Sequence, residues 1–174
     1  MSTQTSTSAV LAFREGRLLD CYELLARAGE RTEADSVLAA EALNLLGRSD
    51  DALIEAKRLA GDQRLAPSLL ARCTIILAND RWHTGDFEGG LQLYRAASSL
   101  ADASRDVSTL CRVKLQLLEK ICDSTGFDSS LPLATLVRRV VTRSDDPQIH
   151  SLAHLSFGRL EAKAGRLPVA QRSH

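Results

Sequence analysis

The sequence predicts an all-α fold built as a solenoid of antiparallel helix pairs, and three observations predict it. Glycines recur at the joints of helix-like runs: Gly16 in REGRLLDC, Gly47 in LGRSDDA, Gly85 in HTGDFEGG and Gly165 in KAGRLPVA. Five residues after each comes a small side chain inside the next run, namely Cys21, Ala52, Gly90 and Ala170. Such self-similarity marks a helical repeat array, in which each helix pair leaves an apolar stripe that the next pair covers. Finally, hydrophobic residues make up 44% of the chain but aromatics only 4%, so Leu and Ala carry the burial, as closely packed helices require.

The elements follow in order from helical periodicity and stop signals. Residues 1–7, MSTQTST, are polar and are expected as a disordered leader, with the repeat domain spanning 8–174. A first helix is predicted over 8–15 and ends at Gly16. The second, 18–28, places Leu18, Leu19, Tyr22, Leu25 and Ala26 on one side and stops at Gly29. The third, 33–46, carries Val37, Leu38, Ala42, Leu45 and Leu46. Ser49 is the expected cap of the fourth, whose inward residues are Ala52, Leu53, Ala56 and Leu59.

Pro67 opens the fifth helix, 66–83, since a proline in the first turn forfeits no hydrogen bond. Gly85-Asp86 separates it from the sixth, 87–103, and the seventh spans 107–123. A longer break is expected over Asp123 to Ser130, with Ser130 as cap and Pro132 in the first turn of an eighth helix ending near Arg143. Asp146 as cap and Pro147 at the first position start the ninth, which runs through Leu152, Leu155, Phe157, Leu160 and Ala164. Gly165 breaks it, and a tenth element begins at Leu167. A solenoid end calls for a complete polar-faced capping helix. The sequence is therefore expected to be cut from a longer protein, with a short frayed end as the alternative.

These helix pairs resemble the tetratricopeptide repeat (TPR). Residues 71–102 carry the clearest likeness. Gly85-Asp86-Phe87 is similar to the family's inter-helix turn, Leu77 and Ala78 to its large-small pair, and Gly90, Tyr94 and Ala97 to its small, aromatic and small positions. The C-terminal unit repeats this with Phe157, Gly158, Gly165 and Ala170. Residues 36–64 (Ala39, Ala40, Gly47, Ala52, Ala56) and 8–30 (Ala9, Gly16, Cys21, Leu25, Ala28) follow more loosely. The pattern departs at Thr74 and Arg81, where aromatics are usual, and at Asp102, where proline is. The period is uneven as well: Gly16 to Gly47 is 31 residues and Gly47 to Gly85 is 38. The 107–143 pair shows no clear glycine turn. The resemblance implies a right-handed superhelix whose inner groove, lined by the first helix of each pair, takes a peptide or helix of a partner protein. On that basis Asn44, Arg72, Asn79, His83, Lys114 and Glu161 are the candidate partner-binding residues.

Twenty-two basic residues balance 22 acidic ones, so the chain lacks the general attraction used by nucleic-acid or anionic-membrane binders. The N-terminus has neither a basic n-region nor a long apolar run, and no segment reaches membrane-spanning length. The four cysteines, Cys21, Cys73, Cys111 and Cys122, form no CxxC pair and read as buried free thiols of a reducing, cytoplasmic compartment.

His150 and His154 share a helical spacing, but Ser151 stands where a zinc-protease glutamate would, and no third ligand follows. Gly89-Gly90 lies in a helical pattern and reads as close packing, and Trp82 as packing beside the turn. Arg138, Arg139 and Arg143 read as a solvated basic face. The residues point to no catalytic group, cofactor or metal. The leading expectation is a non-catalytic interaction scaffold, and a homodimer is left open. The alternative is a sensory or regulatory segment of a larger bacterial transcription or signalling protein.

Overall fold

The structure, a computed structural model, describes residues 3–165. The expected tenth element lies outside them. Among the described residues the chain forms nine α-helices: α1 (Thr3–Arg14), α2 (Leu18–Ala26), α3 (Glu33–Leu45), α4 (Ser49–Ala60), α5 (Pro67–His83), α6 (Phe87–Ala103), α7 (Val107–Thr125), α8 (Phe127–Val141) and α9 (Pro147–Lys163). No helix among them is long and apolar enough to cross a membrane.

Three of the glycine joints share one geometry. Gly16, Gly47 and Gly85 have φ of 75°, 77° and 88°. Each is followed by one extended-side residue, Arg17, Arg48 or Asp86, before the next helix starts. At Gly85 the glycine N–H donates to Trp82 O at 3.2 Å and the Asp86 N–H to Arg81 O at 2.9 Å. This is the crossed pair of bonds that satisfies the last carbonyls of a helix, and it needs the left-handed backbone that glycine adopts without strain. The residues five positions on, Cys21, Ala52 and Gly90, are all buried against the preceding helix. A Cβ on Gly90 would lie 3.3 Å from both Ala78 O and Trp82 N, so the backbones of α5 and α6 meet there.

The α7–α8 joint differs from the expectation. In place of a long break, Gly126 alone connects the two helices, with φ 89° and ψ 172°. Dropping the intervening residue shifts the register by one, so the buried small side chain is Ser130, four residues on. Ser130 is therefore no cap: its hydroxyl donates to Phe127 O at 2.6 Å inside the first turns of α8. Pro132 lies within the helix, where it forgoes one backbone bond to the preceding turn.

Other starts are capped by side chains. Thr32 and Asp35 form a reciprocal capping box at α3. Asp86 accepts from Gly89 N at 2.9 Å, Asp106 from Thr109 N at 3.1 Å and Asp146 from Gln148 N at 2.9 Å. Ser49 is the first residue of α4, and its expected capping place belongs to Arg48, which makes no side-chain cap bond. The leader reading of 1–7 also changes: α1 begins at Thr3. Ser6 Oγ donates to Asp35 Oδ2 at 3.2 Å, and Ala9 and Ala12 are fully buried. Tertiary contact overrides the weak helix propensity of this Ser/Thr-rich stretch.

The core runs along the chain in overlapping steps. One cluster joins α1, α2 and α3 around Leu25, Leu38 and Ala39. A second joins α3, α4 and α5 around Val37, Ala52 and Ile76. A third joins α5, α6 and α7 around Tyr94, Ala97 and Val113. The last joins α7, α8 and α9 around Leu118, Val137 and Ile149. Among the described residues α1, α3, α5 and α7 each pack on the helix that follows and also on the next odd-numbered helix. The four cysteines are buried and free.

Candidate functional site

The odd-numbered helices turn a common face inward and wall two adjoining depressions. The first, about 200 Å³, is bounded by Val10, Phe13 and Arg14 of α1, Asp35 and Leu38 of α3, Asp106 and Thr109 at the start of α7, and Asp146 before α9. The second, about 300 Å³, is bounded by Asn44 and Leu45 of α3, Ile75, Ile76 and Asn79 of α5, Val113 and Gln116 of α7, and Leu152 of α9. Phe13, Glu41, Arg72 and Arg112 line both, so the two form one groove.

Glu41 and Arg72 join α3 to α5 in its floor. Arg72 Nε donates to Glu41 Oε1 at 2.8 Å and Arg72 Nη2 to Oε2 at 2.5 Å. Burial works to lower the Arg72 pKa, but the charge and hydrogen bonds of Glu41 outweigh it, and the pKa is raised. Asn79 is held from behind by the fully buried Tyr94, whose hydroxyl donates to Asn79 Oδ1. That bond assigns the amide and leaves its NH₂ as the free donor. Burial, and secondarily the Glu119 charge, push the Tyr94 phenol up, so it remains a donor. The first and last of the described helices meet across the groove. Gln148, in the first turn of α9, donates from Nε2 to the Arg14 carbonyl of α1, and its Oε1 accepts from Arg112 Nη2 at 3.2 Å.

Of the six residues singled out from sequence, the structure brings Asn44, Arg72 and Asn79 into this groove. The other three lie elsewhere. Lys114 is two residues beyond Arg112 on α7, a rotation of about 200° about the helix, and so faces α6. It is buried there, pairing with Asp102 at 2.9 Å and donating to Ser98 at 3.2 Å. His83 is exposed at the last turn of α5 and outside both depressions. Glu161 is nine residues beyond Leu152 on α9, about half a turn round at helical pitch. It lines a separate depression with Arg138, His150 and His154, and sits 3.6 Å from Arg138.

Sequence reasoning missed Phe13, Glu41, Arg112, Gln116, Gln148 and Leu152. A signal for several of them was present. On α5, Arg72, Ile75, Ile76 and Asn79 fall at i, i+3, i+4 and i+7, one helical stripe. Carried to α3, the same spacing selects Glu41 with Asn44 and Leu45, and on α7 Arg112 with Gln116.

The remaining singled-out residues pack or face solvent. Trp82 meets Phe87 and Tyr94 edge-on at centroid distances of 5.1 and 6.2 Å, and Lys120 lies over its ring at 4.8 Å. Arg138 stacks on Phe157 at 4.2 Å, while Arg139 and Arg143 are exposed. His150 Nε2 lies 2.7 Å from Ser144 O, and His154 is exposed. No protein-family model matches this chain, and no curated protein matches it in sequence.

Proposed function

We propose that this chain is a non-catalytic interaction scaffold: a TPR-like solenoid, wound as a right-handed superhelix, whose inner groove takes a peptide segment of a partner protein. The observation that carries this reading is the shared groove of the odd-numbered helices, of which α1, α3, α5 and α7 each open a helix pair. The overlapping cores and the three equivalent glycine turns support the solenoid.

The lining suits an extended segment. Leu45, Ile75, Ile76, Val113 and Leu152 offer apolar surface, while Asn44, Asn79 and Gln116 offer amides for a peptide backbone. Depressions of about 200 and 300 Å³ take side chains. Buried free thiols fit work in a reducing compartment such as the cytoplasm.

The test is capture of partners from the source cell by the wild-type chain and by Asn44→Ala/Gln116→Ala. Both side chains are half-buried in the groove wall rather than in the core, so helicity by circular dichroism is expected to stay unchanged. A partner held by the wild type and lost by the double variant supports the groove. A partner held equally by both places binding on another surface.

A further inference from the structure

The chain has four lysines, and their surroundings differ sharply. Lys57 is exposed, Lys114 is buried on Asp102, and Lys163 pairs with Asp123. Lys120 is half-buried, yet among the described residues no carboxylate pairs with it. Its ammonium rests over the Trp82 ring of α5, 4.8 Å from the centroid. The ring attracts the cation but gives it no hydrogen-bond acceptor.

Lys120 also lines a depression of about 440 Å³ between the C-terminal halves of α7 and α9, together with Glu119, Asp123, Arg159 and Lys163. Both carboxylates there are turned to other partners. Glu119 accepts from Ser156 Oγ at 2.6 Å and faces Arg159 at 3.6 Å, and Asp123 holds Lys163. Three cations therefore line the depression against two carboxylates. Burial lowers the Lys120 pKa, and the Lys163 charge lowers it further against the opposing charge of Glu119. Desolvation and a neighbouring cation are the two means by which proteins make an amine nucleophilic near neutral pH. None of these residues lines the groove, so the site stands apart from the partner reading.

We propose that Lys120 is a modification site, whose amine takes an acyl group from a small acyl phosphate drawn to Arg159 and Lys163. The neutral amine attacks the carbonyl carbon. A C–N bond forms, the C–O bond to phosphate breaks, and phosphate leaves with that electron pair. The surplus proton of the amine passes to water. The product is an uncharged amide, so the depression loses one cation and Trp82 loses its ammonium.

The full chain is treated at pH 8 with acetyl phosphate and, separately, with the uncharged donor N-acetoxysuccinimide, and acetylation of each lysine is followed by peptide mass spectrometry. Lys120 is expected to react first of the four lysines with acetyl phosphate. Its lead over Lys57 is expected to be about threefold larger with acetyl phosphate than with the uncharged donor. The rate–pH curve of Lys120 is expected at lower pH in the folded chain than in urea. Lys163→Gln removes the like charge and part of the attraction for phosphate, and it frees Asp123. It is expected to slow Lys120 about threefold or more with helicity unchanged. Lys57 ahead of Lys120 with both donors, or a Lys120 curve that urea does not move, overturns the proposal. Equal leads with the two donors overturn the acyl phosphate as the source. Acetylation of Lys163→Gln as fast as wild type overturns the part given to the neighbouring cations.

Discussion

Arg72 and Glu41, 31 residues apart in sequence, meet through two hydrogen bonds of 2.8 and 2.5 Å and tie α5 to α3 in the groove floor. Their side chains are only 22% and 21% exposed, so water screens the pair weakly. Removing one partner strands a half-buried charge. Glu41→Gln or Arg72→Gln is expected to cost about 2 kcal/mol each. The double variant should cost clearly less than the sum of the two, by about 1 kcal/mol or more. Urea unfolding of the four proteins measures this; strict additivity would show that the pair is not coupled.

Tyr94 is fully buried and its hydroxyl donates to the Asn79 oxygen. Tyr94→Phe leaves that oxygen without its donor and is expected to destabilise by about 1 kcal/mol. Asn79→Ala leaves the phenol unpaired in the core and should cost as much or more. Asn79 therefore serves the fold as well as the groove, so lost binding in Asn79→Ala reports on both. Thermal unfolding of Tyr94→Phe alongside a binding assay separates the two roles.

Lys114 is buried while its counter-ion Asp102 is largely exposed. The ammonium bears the desolvation, and the carboxylate offsets it only in part. Lys114→Met keeps the aliphatic packing and is expected to leave stability within about 1 kcal/mol of wild type, or raise it. Asp102→Ala leaves the ammonium with Ser98 alone and is expected to cost about 1–2 kcal/mol. A chemical denaturation series ranks them; Lys114→Met as the worse of the two contradicts this account.

Two glycines should respond in opposite directions. Gly85 has φ 88°, so Gly85→Ala forces a side chain into left-handed backbone at a cost of about 1–2 kcal/mol. Gly158 lies inside α9 with open space where a Cβ would go, so Gly158→Ala gains helix propensity and is expected to stabilise by about 0.5–1 kcal/mol. The midpoints of thermal unfolding settle the signs.

Burial pushes the Cys21 and Cys73 thiols up to about 11, with the charge of Glu41 adding to it. A folded-state pKa above the unfolded value means that the folded chain holds these protons longer. Their stabilisation is complete below the unfolded thiol value, about 8.5, and is lost as pH rises from there through 11. Stability is expected to fall over that alkaline range, and Cys21→Ala/Cys73→Ala should flatten the fall. At pH 8 both thiols should alkylate with iodoacetamide far more slowly in the folded than in the urea-unfolded chain. Equal rates would show them accessible.

Helix content, most helix starts and the glycine joints at Gly16, Gly47 and Gly85 follow from the sequence because their causes are local. Gly85 must leave a helix with positive φ, Pro67 and Pro147 fit a first turn, and Asp146 caps because its oxygen reaches an N–H two residues on. Where only the assembled chain supplies the partner, the same reasoning falls short. Thr3 to Thr7 joins a helix that Ser6 and Asp35 tie down across 29 residues. The Gly126 joint drops a residue, so the small side chain arrives at Ser130 and Pro132 falls inside the helix.

The candidate site divides the same way. Arg72 and Asn79 are visible as one stripe of α5, since helical spacing sets which residues share a face. Which way that face turns is set by packing against the neighbouring helices. Packing buried Lys114 against α6 and left Arg112, two residues earlier, in the groove. It also brought Gln148 to Arg14 across 134 residues of chain. Local sequence thus determined the helices and their turns. Which helix faces turn toward one another, and with them the members of the groove, was decided by contacts between residues far apart in the chain, which no local periodicity encodes.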